Sequence, residues 1–169
     1  LYVVSGGNCF SENSEMLQDR LYLNDGKGNF ARDKNRLPDL RSSGSCVIAA
    51  DHDLDGDLDL FVGGRHRPGH YPLAPKSYLL ENNNGFFKDI TAEKAPDLQR
   101  IGMVSAALWS DVDNDGRTDL VVVGEWMPVT IFKNSEAGLL VLDQDTTLTA
   151  HTGWWNSITG TDIDGDGDI

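Results

Sequence analysis

The sequence predicts an all-β fold, a β-propeller of four-stranded antiparallel blades, of which this chain supplies about three. Three observations lead to this prediction. An aspartate-rich loop of one pattern occurs three times, short apolar segments typical of strands border the loops, and no long segment shows the 3.6-residue periodicity of an amphipathic helix.

Composition indicates a globular chain and disfavours two classes of partner. Of the 169 residues, 39% are apolar, which suffices for a packed core. No apolar run approaches the roughly 20 residues needed to cross a bilayer, so we expect no membrane span in this segment. The net charge of −13 disfavours binding to the phosphate backbone of nucleic acids.

The acidic residues are clustered. Of the 27 acidic side chains 21 are aspartates, and 13 of these lie in the windows 51–59, 111–119 and 162–168. Without these 13 aspartates, 14 acidic residues remain against 14 Lys and Arg residues, so the rest of the chain is neutral. Clustered charge of this kind indicates bound cations rather than a diffusely acidic surface.

The three windows share the pattern DxDxDGxxD as far as each extends. A hard cation such as Ca²⁺ takes about six to eight oxygen ligands, and a tightly coiled loop can direct carboxylates at positions 1, 3 and 5 inward while position 7 offers its backbone carbonyl. The predicted carboxylate ligands are Asp51, Asp53, Asp55, Asp111, Asp113, Asp115, Asp162, Asp164 and Asp166. The predicted carbonyl ligands are Asp57, Arg117 and Asp168. Position 6 is glycine throughout, which suits a sharp reversal of the chain.

An EF-hand and a metal-free polar turn are the two alternatives to a calcium loop between strands. An EF-hand needs a bidentate Glu at position 12 and helices on both sides, whereas position 12 here is Val62 or Val122 and the flanking segments resemble buried strands. The aspartates could also form polar turns without a metal, but carboxylates this close repel one another unless a counter-ion is present. We therefore expect calcium to hold each strand-to-strand connection.

The repeat extends beyond the loops and defines approximate units 1–59, 60–119 and 120–169. Each unit offers further short apolar strands and a glycine-containing turn before the next loop. The segments 45–50, 105–110 and 156–161, which precede the loops, are rich in small residues, as expected for strands nearest a propeller axis. The chain starts just after a ninth loop position and stops inside a third loop, so we expect the remaining blades to come from further chain or from neighbouring chains.

The two cysteines give little indication of function. Cys46 aligns with Ala106 and Ser157, which favours a small buried residue over a redox or nucleophilic one. Cys9 has no counterpart in the other units. The sequence alone is compatible with a disulfide between Cys9 and Cys46 and with two free thiols.

The long connection after Gly64 and a tryptophan pair are candidate ligand-binding features. The candidate residues are Arg65, Arg67, His70, Tyr71, Trp154 and Trp155. The connection could bind an anionic sugar or a carboxylate, and its Tyr, His and Arg are the residue types that a polysaccharide lyase uses. A solvated, proline-rich loop is the alternative. No serine-hydrolase, metalloprotease or nucleotide-binding motif occurs.

The acidic loops between apolar strands, with the turns near Gly28 and Gly85, resemble FG-GAP (VCBS) repeats, which occur in integrin α-subunits and in secreted bacterial proteins. The segments 19–30 and 124–128 are similar to bacterial surface proteins of this class, including those with an ASPIC/UnbV region. The resemblance implies a calcium-stabilised propeller that is secreted or at the cell surface. It also implies that Asp59 and Asp119, at the ninth position, are side-chain ligands; the third loop stops before that position.

Two functional hypotheses follow from this resemblance and from the residues. The first is a non-catalytic, extracellular propeller in which calcium is structural and the surface binds a protein or glycan ligand. The second is the propeller portion of a carbohydrate-active enzyme of the lyase type, or a sugar-binding domain. The sequence does not identify the ligand.

Overall fold

The computed structural model describes residues 1–144 and 147–163, and short antiparallel strands dominate it. The strands are β1 (Tyr2–Val3), β2 (Arg20–Asn24), β3 (Phe30–Asp33), β4 (Ser43–Ala50), β5 (Asp59–His66), β6 (Tyr78–Asn83), β7 (Phe86–Asp89), β8 (Met103–Ser110), β9 (Asp119–Pro128), β10 (Thr130–Asn134), β11 (Leu140–Leu142) and β12 (Thr152–Trp154). The helical segments described are the one-turn helix α1 (Thr91–Lys94) and the 3₁₀ helices Glu15–Leu17, Pro96–Arg100 and Thr147–Ala150. No helix in these ranges is long and apolar enough to cross a membrane.

The strands form three sheets, which confirms the predicted all-β architecture of antiparallel blades. The middle sheet has the order β4-β5-β6-β7 and is a complete four-stranded blade. The first sheet has the order β1-β2-β3. In the third sheet β8, β9, β10 and β11 repeat the pattern of the middle blade, and β12 pairs with the far end of β9. The sequence units run from loop to loop, so the second and third sheets each begin one strand earlier than the corresponding unit.

The core lies between the sheets and follows the two-residue periodicity of the strands. In β5, Phe61 packs into the cluster shared with the third sheet, where it meets Val104 and Phe132. Its neighbours Leu60 and Val62 pack on the other side, in a cluster that contains Leu40 and Tyr2. Because both faces of β5 are covered, its sequence is a continuous apolar run rather than an alternating one.

A β-bulge in each inner strand brings neighbouring blades into contact. The register of β4 on β5 shifts between Gly44 and Cys46, and the hydroxyl of Ser45 lies 2.7 Å from the carbonyl oxygen of Val104 in the next sheet. The same shift occurs in β8, where the Ser105 hydroxyl lies 2.5 Å from the carbonyl oxygen of Trp155. Gly63 of β5 also faces Val104 in the next sheet. A Cβ at this position would lie 2.7 Å from Val104 Cγ1, so the close packing of these two residues requires glycine.

The third inner strand differs from the expectation. Residues 156–161 are not in a strand, and the pairing near them is confined to Thr152–Trp154 of β12. In the two preceding units the inner strand pairs with the strand that starts at the ninth loop position. The prediction of an inner strand at 156–161 is therefore wrong for the described residues.

One buried carboxylate is placed where the fold makes its ionisation costly. Asp19 is 4% exposed and accepts hydrogen bonds from the Ser5 backbone N–H at 2.6 Å and from the Tyr2 hydroxyl at 2.7 Å. Burial outweighs these hydrogen bonds and raises the pKa of Asp19 to about 6. Burial, with the nearby Asp19 carboxylate, also raises the pKa of Tyr2.

The raised pKa of Asp19 predicts a pH-dependent stability. Between roughly pH 4 and pH 6 the folded state binds a proton at Asp19 that the unfolded state has lost, so the free energy of unfolding should fall as the pH rises through this window. Asp19→Asn should remove this part of the decline. Chemical denaturation across that range at constant calcium measures it.

Asp25→Asn is the matched control for this measurement. Hydrogen bonds from Asn29 and Lys27 lower the pKa of the exposed Asp25 carboxyl, so its contribution has the opposite sign. The decline above pH 4 should therefore persist in Asp25→Asn. An unchanged profile in Asp19→Asn would contradict the assignment.

Candidate metal centres

Two acidic loops connect the inner strand of a blade to its second strand. The first spans residues 51–58, between β4 and β5, and the second spans residues 111–118, between β8 and β9. In the first loop the Asp51 carboxylate accepts hydrogen bonds from the backbone N–H groups of Asp55 at 3.1 Å and Gly56 at 3.0 Å. Asp111 accepts the equivalent bonds from the N–H groups of positions 5 and 6 at 3.1 and 2.8 Å. The two loops therefore share one conformation.

That conformation gathers the carboxylates predicted as ligands. Asp51, Asp53 and Asp55 each place an oxygen so that all three oxygens lie within 4.8 Å of one another. Asp111, Asp113 and Asp115 form the same cluster in the second loop. Two oxygens bound to one Ca²⁺ at about 2.3–2.6 Å can be at most about 5 Å apart. The three-carboxylate clusters therefore fit a single calcium ion.

Two positions in each loop adopt a left-handed backbone. Gly56 and Gly116, at position 6, have φ of 94° and 84°, as the sequence predicted for a sharp reversal. Position 4 is also left-handed, with φ of 63° at Leu54 and 58° at Asn114. Sequence analysis missed position 4, although its occupants offered a signal, since asparagine tolerates this conformation far better than leucine does.

The ninth-position aspartates are buried at the base of the loops. Asp59 is 1% exposed and accepts a hydrogen bond at 2.7 Å from the backbone N–H of Asn82 in β6. Asp119 accepts the equivalent bond at 2.7 Å from the N–H of Asn134 in β10. Each carboxylate thus ties a loop to the third strand of its blade. Burial, together with the carboxylates of the second loop, raises the pKa of Asp119.

Asn82 and Asn134 are site residues that sequence analysis did not single out. The Asn82 side-chain amide donates to the carbonyl of Leu58 at 3.1 Å, and the Asn134 amide donates to the carbonyl of Thr118 at 3.2 Å. The Asn134 amide also reaches the carbonyl of His52 in the first loop, at 2.5 Å. Asn134 therefore links the two loops, which lie in different blades.

His52 supports the first loop from its buried side. It is 2% exposed, and its Nδ1 lies 2.6 Å from an Asp59 carboxylate oxygen. Its ring centroid lies 6.3 Å from that of Trp109, which places Trp109 among core contacts as its inner-strand position indicated. Asp53, His52 and Asp59 also have ligand atoms within 4.8 Å of one another, so Asp59 lies beside the first carboxylate cluster.

The two loops differ in the positive charge around them. In the second loop Arg117 pairs with Asp115 and donates through Nε to the Asn134 carbonyl at 3.0 Å. Lys133 lies 3.3 Å from an Asp113 oxygen. In the first loop position 7 is Asp57, whose carboxylate accepts from the N–H of Asn84 at 3.1 Å. The second cluster is therefore partly neutralised by the protein itself.

The third loop is only partly described. Asp162 is exposed, whereas Asp164, Asp166 and Asp168 lie outside the described residues. The prediction that these aspartates bind calcium stays a prediction.

Comparison with protein families assigns the chain independently of its loop geometry. The FG-GAP-like repeat family matches residues 1–62 and 111–169, which is more than half of the chain. The chain belongs to this family. No curated protein and no solved structure gave a significant match. FG-GAP repeats commonly bind Ca²⁺, and they are typical of extracellular or surface proteins.

The basic connection of this FG-GAP chain, residues 65–76, is paired with acidic residues. Arg65 donates to the buried Glu125 carboxylate of the next blade. Arg67 makes two hydrogen bonds to Glu12, at 2.9 and 3.1 Å, and His70 lies 3.7 Å from the same carboxylate. Lys76 lies 2.8 Å from Asp89. The structure therefore places Arg65, Arg67 and Lys76 in ion pairs between elements of the fold.

The remaining candidate residues, Tyr71, Trp154 and Trp155, lie in the long connection and at the end of β12. Tyr71 is 58% exposed, and its hydroxyl accepts a hydrogen bond at 2.7 Å from the indole N–H of Trp126. Trp154 ends β12 and packs edge-on against Trp126. The Trp155 indole N–H donates to the Met127 carbonyl at 3.0 Å. The structure brings Tyr71 and Trp154 together through Trp126.

Both cysteines are free thiols. Cys9 is exposed, and Cys46 is half-buried beside Gly63. Burial raises the pKa of the Cys46 thiol, which agrees with a packing role for this residue.

Leu54 provides a test of the loop conformation. Replacing it by Asn, the residue at the equivalent position 114, should stabilise the protein by up to about 1 kcal/mol, because the left-handed conformation costs an ordinary residue roughly 1–2 kcal/mol and asparagine less. Thermal unfolding at constant calcium measures the gain. Leu58→Asn, at another exposed loop leucine, is the control and should give no comparable gain. A loss of stability in Leu54→Asn would contradict the left-handed assignment.

Proposed function

We propose that this FG-GAP chain is a calcium-binding module of an extracellular β-propeller that serves ligand binding or adhesion and has no catalytic activity of its own. The observation that carries the proposal is the recurrence of one three-carboxylate cluster, with the same backbone hydrogen bonds, at the start of the second strand in two successive blades. Because the carboxylate cluster recurs with the repeat, we attribute it to a structural role that both blades share.

A structural role for the ion follows from where the clusters lie. Each loop joins the inner strand to the second strand, and its ninth-position aspartate is bonded to the third strand. A cation in the cluster would fix the loop that these strands share. Asp51, Asp53 and Asp55 would hold it in the first blade, with the Asp57 carbonyl and the adjacent Asp59 completing the set in our proposal. Ca²⁺ supplies charge neutralisation there and no redox chemistry.

The lyase hypothesis receives less support from the geometry. A catalytic tyrosine or histidine must be free to reach a substrate proton. The candidates for neutralising a uronate, Arg65 and Arg67, are already paired with Glu125 and Glu12. FG-GAP repeats are generally non-catalytic ligand-binding modules. We therefore favour binding over catalysis.

Calcium binding should be separable loop by loop. Asp53→Ala and Asp113→Ala should each bind one ion fewer than the unmodified chain, because each blade has its own cluster. The ion lost in Asp53→Ala should be the tighter one, since the second cluster is already paired with Arg117 and Lys133. Isothermal titration calorimetry measures both the stoichiometry and the affinities.

Asp25→Ala, at an exposed aspartate outside the loops, is the control and should keep the full stoichiometry. Calcium at a hundredfold excess over Kd should add about 2.7 kcal/mol per site to the free energy of unfolding, and chelation should remove it. A folded chain that binds no calcium, or one that melts identically with and without chelator, would refute the proposal.

A further inference from the structure

An aromatic surface lies at the end of the blades opposite the calcium loops. We define it by Tyr71, Trp126 and Trp154. Strand β5 starts at Asp59, beside its loop, and ends at His66, so the connection that carries Tyr71 emerges at the other end. Trp126 lies near the end of β9, which runs in the same sense from its own loop. The aromatic surface and the metal clusters are therefore on opposite faces.

The three rings are exposed, yet they are held in place. Tyr71, Trp126 and Trp154 are 58%, 63% and 53% exposed. The Trp126 indole N–H donates to the Tyr71 hydroxyl at 2.7 Å, and the Trp126 and Trp154 centroids are 5.3 Å apart at an interplanar angle of 61°. Exposed aromatic rings that are ordered by each other form a preorganised contact surface, which lowers the entropic cost of binding a ligand.

The backbone at Trp126 is strained. Its φ is 57°, a left-handed value that is rare for a bulky residue and rarer within a strand. The ring that this conformation directs outward is mostly exposed, so packing in the core does not compensate the strain. Strain of this kind is concentrated at binding sites. Trp126 is the extra residue of a β-bulge, because its neighbours Glu125 and Met127 pair with the consecutive residues Trp154 and Gly153, and a bulge of this kind re-aims a side chain beside a site.

A small cavity adjoins the aromatic surface. The cavity has a volume of about 220 Å³, and Tyr71 belongs both to its wall and to the aromatic surface. Its walls are formed by Asn8, Arg65, His66, Tyr71, Met103 and Glu125. Glu125 and Arg65 face each other as an ion pair, and Arg65 Nη1 has no hydrogen-bond partner among the described residues. The cavity thus offers donors and acceptors, while its charges compensate each other.

We propose that the aromatic surface and the adjoining cavity bind a neutral carbohydrate. This inference rests on the ligand-binding function proposed above and names the ligand class. A sugar ring has an apolar C–H face that can stack on an aromatic side chain, and its hydroxyl groups both donate and accept hydrogen bonds. Because the nearby cations Arg65 and Arg67 are paired with Glu125 and Glu12, the site gives an anionic sugar no uncompensated charge.

A peptide ligand fits the same surface less well. Proline-rich peptides dock on aromatic grooves, and their backbone carbonyls require donors from those grooves. The Trp126 indole N–H is already bonded to the Tyr71 hydroxyl. Trp126, which contacts both other rings, therefore presents ring surface rather than a hydrogen-bond donor, and this favours stacking on sugar.

Binding of defined oligosaccharides tests the proposal. The probes are cellohexaose and mannohexaose as neutral sugars, a galacturonate hexasaccharide as an acidic sugar, and a polyproline peptide. Titration calorimetry on the calcium-loaded chain should show saturable binding of at least one neutral sugar. Trp126→Gly removes the ring and suits the positive φ, so it should weaken that binding by about tenfold or more, as expected for an aromatic contact.

Phe30→Ala is the matched control, because Phe30 is 50% exposed and lies on β3, in another sheet. It should leave sugar binding unchanged. Calcium stoichiometry measured on the same samples checks that each variant is folded, and Tyr71→Ala replaces Trp126→Gly if the latter fails this check. Tyr71→Ala should also weaken binding by about tenfold.

Four outcomes would overturn the proposal. They are the absence of neutral-sugar binding by the calcium-loaded chain, neutral-sugar binding that persists in the folded aromatic variant, binding of the galacturonate probe alone, and binding of the polyproline peptide alone. In each of these cases intact calcium stoichiometry would leave the proposed calcium-binding function standing, so the two proposals fail separately.

Discussion

Repulsion among three carboxylates within one small sphere is the constraint that shapes the two blades whose acidic loops the structure describes. At about 4 Å, two such charges repel by roughly 1 kcal/mol in water and by about 4 kcal/mol near a protein surface. The loops hold Asp51 and Asp111 in this arrangement through backbone N–H groups at positions 5 and 6. Those bonds fix the geometry but cannot neutralise three charges, which is why we propose a calcium ion in each cluster.

The same loops anchor the rest of the blade. Asp59 and Asp119 connect the start of the second strand to the third strand, and Asn134 connects the second loop to His52 in the first. A disturbance in one cluster therefore reaches the strands of its own blade and, through Asn134, the adjoining blade. The loop contacts hold the blades together at one face. The exposed rings and the left-handed backbone at Trp126 lie at the opposite face, so the fold does not depend on these rings.

Features determined by residues close together in the chain could be predicted from the sequence. The blades, the carboxylate clusters and the left-handed glycines follow from local spacing, because aspartates two residues apart in a coiled turn converge and position 6 must reverse the chain. The strand predicted at 156–161 was wrong, because a run of small residues forms a strand only where another strand pairs with it, and the pairing described for this part of the chain stops at Trp154.

Features that depend on long-range contacts could not be predicted. The connection at 65–76 looked like a free basic patch, whereas Arg65 pairs with Glu125, 60 residues away, and Arg67 pairs with Glu12. Asn134 acts across two blades, and Trp126 meets Tyr71 only after the sheets pack. The repeated asparagines were visible in the sequence, but their role depends on hydrogen bonds that only the assembled blade defines.

The most direct measurement of the central claim is a crystal structure of the chain grown in calcium, with anomalous scattering data to locate the ions. We predict one ion among Asp51, Asp53 and Asp55 and one among Asp111, Asp113 and Asp115, each with oxygen ligands at about 2.3–2.6 Å. Intact loops with no anomalous peak in either cluster at saturating calcium would contradict the account.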